Sequence, residues 1–344
     1  SSAALAARVT AKVDALASRA TALPETDADW KGLKPEVDRL LGMVRNEIAA
    51  GRVYAGLERL ADANRYLGGT AYRITHPAMS KDLDGFMAGW SAAEAGMTAG
   101  EKAWRAASWS RIPAAVRGLA EIEFGQSRHL YQAARDYAAA DAPSSGAHYV
   151  GEAEAALDYA RFCQTLTLER SPGEFAARSV APEIAELDGR VVASYQPPRS
   201  IDNHSDFIRI NGTLKMAGEL DAAGLYHGSL LTWLRALRLF SALEAGWSQA
   251  PARPVETLRA EAAAVTERLR APSDGSVARL LQEQAESAIA RATTPETAPL
   301  LMTAADVTLS QAVPAFAALR TRKAVKAVEA KDQVRVTLLR WPYT

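Results

Sequence analysis

Apolar side chains recur at helical spacing along almost the whole chain, and this periodicity limits the fold more than any other feature. Leu5, Val9, Val13, Leu16 and Ala20 put one apolar face on a first helix that stops at Pro24. Leu33, Val37, Leu40, Leu41, Val44 and Ile48 do the same for a second, interrupted at Gly51. Leu57, Leu60, Ala63 and Leu67 mark a third, with Gly68-Gly69 as its expected C-cap and His76-Pro77 as the next break. Composition agrees with this reading. Roughly a fifth of the residues are alanine, the best helix former, while β-branched and aromatic residues are sparse. The expected fold is all-α: antiparallel helix pairs arranged as an α-solenoid or a multi-helix bundle.

Breaks in the pattern organise the chain. Residues 141–147, 249–254 and 271–275 read as loops, and Thr293-Thr294-Pro295 as a helix stop with a threonine near the next N-cap. The longest irregular stretch, about 194–211, contains Pro197-Pro198, Asn203, His204 and Asn211-Gly212. It is expected to be a linker or functional loop. That divides the chain into N-terminal helical repeats (1–193), the linker (194–211) and C-terminal helical repeats (212–344), with one continuous array as the alternative. Residues 334–338 alternate like a short strand.

Glycines between the helices carry a recurring pattern. Ala49-Ala50-Gly51 is followed by Gly56, Leu57, Leu60 and Ala63, and Ala222-Ala223-Gly224 by Ser229, Leu230, Trp233 and Ala236. Gly151 is followed by Ala156, Leu157, Ala160 and Cys163. In each case a glycine turns the chain, a small residue five places on lets the next helix approach, and a buried stripe follows. The intervals between these glycines fall near whole numbers of 34-residue units, and the pattern resembles a degenerate tetratricopeptide (TPR) repeat. Gly85, Gly118 and Gly189 sit near intermediate places, but Trp90 and Glu123 stand where a small residue should follow the first two. The resemblance implies helix–turn–helix units with Gly51, Gly151 and Gly224 at the turns. It also suggests, by analogy, an exported bacterial component of a lipid, sterol or solute transport system.

Charge and motifs narrow the function classes. Forty basic and forty acidic side chains cancel, which argues against a nucleic-acid partner. The five histidines show neither Glu-x-x-His nor His-x-x-x-His spacing, and the single cysteine rules out a thiolate zinc site. No phosphate-binding glycine loop or serine elbow occurs. The reading is a non-enzymatic protein with no cofactor and no metal, and with Cys163 as a buried structural thiol. No run of 18 or more uncharged apolar residues exists. The start at Ser1-Ser2-Ala3 suggests a processed, exported chain, and a periplasmic location is expected.

Two segments are richer in large apolar side chains than a simple helix stripe requires. Residues 79–109 hold Phe86, Met87, Trp90 and Met97 among four glycines, and residues 225–247 hold Tyr226, Trp233 and Phe240 at intervals of seven. Methionine adapts its shape to apolar guests. These residues are therefore expected to line a cavity for an apolar, lipid- or sterol-like small molecule, with Tyr195, Asn203 or His204 meeting a polar head group at its mouth. The alternative is a TPR-like protein–protein scaffold or accessory subunit without a small-molecule ligand, working with a transporter or periplasmic partner. A closed apolar cavity would favour the first, and an open charged groove the second.

Overall fold

Helix follows helix through the computed structural model, which describes residues 2–168, 177–196, 201–248, 253–269 and 275–321; no strand occurs among them. The helices are α1 (Ser2–Thr21), α2 (Ala28–Ala49), α3 (Val53–Thr75), the single turn α4 (Pro77–Lys81), α5 (Leu83–Ala106), α6 (Ala114–Ala139) and α7 (Pro143–Thr165). They continue as α8 (Ala181–Ser194), α9 (His204–Ala222), α10 (Tyr226–Ser248), α11 (Val255–Arg268), α12 (Ser276–Arg291), α13 (Ala298–Val307) and α14 (Val313–Thr321). A π-helical turn, Thr308–Ala312, joins the last two. The fold is all-α, built from packed antiparallel helix pairs, as the periodicity predicts.

Three of these pairs share one hairpin. The chain passes through a left-handed residue at Gly51 (φ 77°), Asp141 (φ 61°) and Gly224 (φ 74°). At each turn two backbone bonds repeat. Ala50, Ala140 and Ala223 donate to the carbonyls of Asn46, Asp136 and Glu219, and Arg52, Ala142 and Leu225 donate to those of Glu47, Tyr137 and Leu220. The second set closes a Schellman motif, which satisfies carbonyls that the helix end would leave open. Counting from the left-handed residue, position five is small (Gly56, Gly146, Ser229) and position twelve is alanine (Ala63, Ala153, Ala236). Positions six, nine and sixteen are apolar (Leu57, Leu60, Leu67; Ala147, Val150, Leu157; Leu230, Trp233, Phe240), and all of these residues are buried.

The middle hairpin corrects the expectation for Gly151. Its turn is at Asp141, and Gly151 lies in the middle of α7. Aspartate tolerates the left-handed region better than most residues, so the motif survives there without glycine. Gly151 has a different task. A Cβ built on it would lie 2.3 Å from Tyr72 Cβ, 2.6 Å from the Gly68 carbonyl oxygen and 2.9 Å from Gly69 Cα. It is a notch in which α7 crosses α3. Gly68-Gly69, expected to end the third helix, forms the opposite notch, and α3 continues to Thr75. Two expected loops are also shorter than the composition suggests. Pro143 starts α7 inside 141–147, and α9 starts at His204, so Asn211-Gly212 is helical. The intervals between the three left-handed turns are unequal, and neither is a multiple of 34 residues. Residues 197–200, 249–252, 271–274 and 334–338, on which other expectations fell, lie outside the described residues.

Buried carboxylates tie one hairpin to another. Glu283 of α12 is 1% exposed, and its Oε2 accepts from the backbone N–H of Tyr54 (2.7 Å) and Ala55 (3.0 Å) at the start of α3. Glu121 of α6 is equally buried and accepts from Gly228 N–H (2.8 Å) at the start of α10. Ala55 and Gly228 occupy the same hairpin position, four past the left-handed residue. Each glutamate is held by an arginine one turn before it, Arg279 at 3.0 Å and Arg117 at 2.8 Å. The first N–H groups of a helix have no intrahelical acceptor and carry partial positive charge, so a carboxylate suits them. In the α6–α7 hairpin Pro143 sits in the first turn and removes one of those donors.

One apolar cluster runs from Leu5 to Phe316, joining helices on both sides of residues 194–211. A second, smaller cluster holds Tyr72, Met79, Phe86, Trp90, Ala93, Ala134, Ala138, Ala147 and Val150. Within the described residues one run, Ala298–Arg320, is long and apolar enough by composition to cross a membrane. Part of it packs inside the protein, and its Asp306 accepts from Arg253 Nε at 2.9 Å.

Candidate functional site

A cleft of about 290 Å³ opens between α8, α10 and the π-turn–α14 segment. α8 forms one wall. Ile184, Leu187 and Val191 anchor it to the core. Its start is fixed by Asp221 of α9, which accepts from Val180 N–H (2.8 Å) and Ser179 Oγ (2.7 Å). With that face pinned, Glu183, Glu186 and Arg190 turn toward the cleft, with Leu187 between them. α10 forms the floor with Trp233 and Leu237, one helical turn apart. The indole Nε1 of Trp233 donates to the Glu183 carbonyl at 3.2 Å, fixing the ring and tying floor to wall.

The third wall has a local cause in the sequence. Pro314 lacks the N–H that a continuing helix needs, and its ring crowds the carbonyl four residues back. That carbonyl belongs to Ser310, in the π-turn Thr308–Ala312. The wider turn accommodates the proline, and Thr308 Oγ1 closes back on the Ala304 carbonyl at 2.7 Å. Ser310 and Gln311 are exposed by this turn and line the cleft with Pro314 and Ala315. Helical π-turns are uncommon and concentrate at functional positions.

The charges are unevenly placed. Arg190 Nη2 binds Glu244 Oε2 at 3.0 Å, and its guanidinium lies 5.2 Å from the centre of the buried Phe240 ring. The lining side of α10 and the π-turn–α14 wall bring no charged side chain. The cleft thus offers an apolar floor, amide and hydroxyl groups on one wall, and carboxylates on the other.

The structure distributes the sequence-predicted residues differently. Trp233 lines the cleft, and Phe240 lies beside it beneath Arg190. Tyr195 and His204 do meet, the phenol oxygen 3.3 Å from Nδ1, and the Tyr195 ring packs edge-on against Phe207. Asn203 stands at the N-cap of α9. Phe86 and Trp90 are buried in the smaller cluster, where Trp90 stacks on Tyr131 with centroids 4.3 Å apart. Met97 is in the main core, while Met87 and Tyr226 are exposed. α5 packs on α4, α6 and α7, and α10 on α6, α8, α9 and α13; the two apolar segments share no extended contact. Glu183, Glu186, Arg190, Ser310 and Gln311 escaped the sequence reading. The one local sign for the last two is a proline inside an apolar helical run.

Cys163 is fully buried, and burial pushes its thiol well above the usual range, which suits a structural residue rather than a nucleophile. Among the described residues no group of three or more His, Cys, Asp or Glu side chains is placed to hold a metal ion. No family model, curated protein or solved structure matches the chain. Function has to be read from the cleft and the fold around it.

Proposed function

We propose that this chain is a non-enzymatic helical-repeat scaffold that receives a segment of a partner polypeptide in the cleft between α8, α10 and α14. One observation carries the reading: the cleft is open, apolar at its floor and charged at its rim. Enclosed small-molecule sites span about 300–1,000 Å³ and bury most of their ligand in an apolar lining. A 290 Å³ cleft edged by Glu183, Glu186 and Arg190 is small for a lipid or sterol body, and well sized for one or two side chains of a larger partner. Burying about 120 Å² of partner apolar surface on Trp233 and Leu237 yields about 3 kcal/mol gross. Such an anchor supports reversible association rather than a permanent complex.

An apolar small molecule is the second reading, favoured by the indole of Trp233 on the cleft floor. A photo-crosslinking amino acid at Ser310 separates the two, with the same group at exposed Met87 as reference. The scaffold reading expects polypeptide adducts at Ser310 in the source cell, above the level at Met87. Lipid adducts at Ser310, or equal labelling at both positions, would refute it.

A further inference from the structure

We infer that the partner segment is cationic, presenting lysine or arginine beside an apolar anchor. The inference rests on the cleft reading and specifies its occupant. Glu183, Glu186 and Arg190 are the charged side chains of the lining, all from α8. Arg190 is engaged by Glu244 and stacked over Phe240. The positive charge is therefore answered within the protein, and the carboxylate exposed to the incoming segment is that of Glu186. The opposite wall, Ser310, Gln311, Pro314 and Ala315, adds no charged side chain to the lining. Glu186 is exposed on α8, three residues from Glu183 and four from Arg190, so it shares their face of the helix. An acidic segment would set like charges against this carboxylate, and a purely apolar one would cover Glu186 without replacing its water. A basic residue can reach Glu186 while its apolar neighbour covers Leu187, Trp233 and Leu237. Complementary charge at the edge of an apolar contact selects among partners more than it adds affinity.

Three short labelled peptides test this by fluorescence anisotropy with the full chain. They share leucine and tryptophan anchors and differ only in their polar positions, which are lysine, glutamate or serine. The protein is used as wild type and as Glu186→Lys, Glu25→Lys and Gln311→Trp. Glu25 is an exposed reference on the α1–α2 connection. Gln311→Trp fills the cleft from an exposed position. The expected result is that the lysine peptide binds tightest and weakens as salt rises. Glu186→Lys should weaken it about tenfold and strengthen the glutamate peptide, Glu25→Lys should change neither, and Gln311→Trp should weaken all three. Equal binding of the three peptides, indifferent to Glu186→Lys but lost in Gln311→Trp, would overturn the cationic partner and leave the cleft reading standing. Binding that survives Gln311→Trp, or no binding at all, would overturn both.

Discussion

Replacing Gly151 by alanine puts the α3–α7 crossing to the test. The three contacts that a Cβ would make there lie at 2.3, 2.6 and 2.9 Å, and all are to main-chain atoms or to a Cβ. No side-chain rotation relieves them, so the helices must part by about 1 Å to reach ordinary carbon contact. Parting them also stretches the Asn64 Nδ2 to Ala155 carbonyl bond (2.6 Å) and the Tyr159 hydroxyl to Leu57 carbonyl bond (2.7 Å), both buried. Overpacking of this kind costs about 1–3 kcal/mol, and each strained buried bond adds about 1 kcal/mol. Alanine returns about 1 kcal/mol through its better helix propensity. The net expectation is a loss of about 3 kcal/mol. Gly96 on α5 is the internal comparison, because a Cβ there meets nothing within 4 Å. Gly96→Ala should therefore stabilise by up to about 1 kcal/mol. Urea unfolding followed by circular dichroism, with m-values compared, measures both. If Gly151→Ala is within 1 kcal/mol of wild type while Gly96→Ala gains stability, the crossing is not as close as described and the notch argument fails.

Asp141→Gly should stabilise by about 0.5–1 kcal/mol in the same assay, because glycine takes the left-handed turn without steric cost; a loss would mean that the aspartate side chain holds the turn. Trp233→Ala should cost about 3–5 kcal/mol, since the ring is 6% exposed and bonded to the Glu183 carbonyl; under 1 kcal/mol would place it outside the core. Glu154 is pushed above its ordinary value of 4.5, by burial first, against the pull of His76 and Arg19. The folded state then holds more protons than the unfolded one between 4.5 and the raised value, so stability rises as pH falls through that window. Glu154→Gln should be more stable than wild type at neutral pH, with the advantage shrinking as pH approaches 4.5; an advantage independent of pH would remove titration as the cause.

The fold class was legible because a 3.6-residue period survives any arrangement of the helices. The turns at Gly51 and Gly224 were legible because glycine marks a left-handed residue. The third was hidden because aspartate fills that role at Asp141. Gly151 misled for a related reason: the absence of a Cβ serves both a turn and a close crossing, and local sequence does not separate the two uses. The apolar excess of Phe86, Trp90 and Met97 is spent on core packing, where Trp90 meets Tyr131. The cleft gathers residues from 183–190, 233–237 and 310–315. Only tertiary packing brings these together, so no spacing in the sequence could announce it, although Trp233 was identified from its place on the stripe.

The glutamate ties give synthesis of this chain a direction. The N–H groups that open α3 wait for a carboxylate 229 residues further on. While the ribosome is still making the middle of the protein, that helix start has only water as a partner. The α9–α10 hairpin meets no such delay, because Glu121 emerges before Gly228. An ordinary solenoid can lock each unit as it leaves the exit tunnel, since every contact is with a neighbour. Here α7 packs on α3 early, but the N–H groups that open α3 gain their acceptor only when α12 arrives. The last buried acceptor of the first hairpin is thus supplied only when α12 has been made.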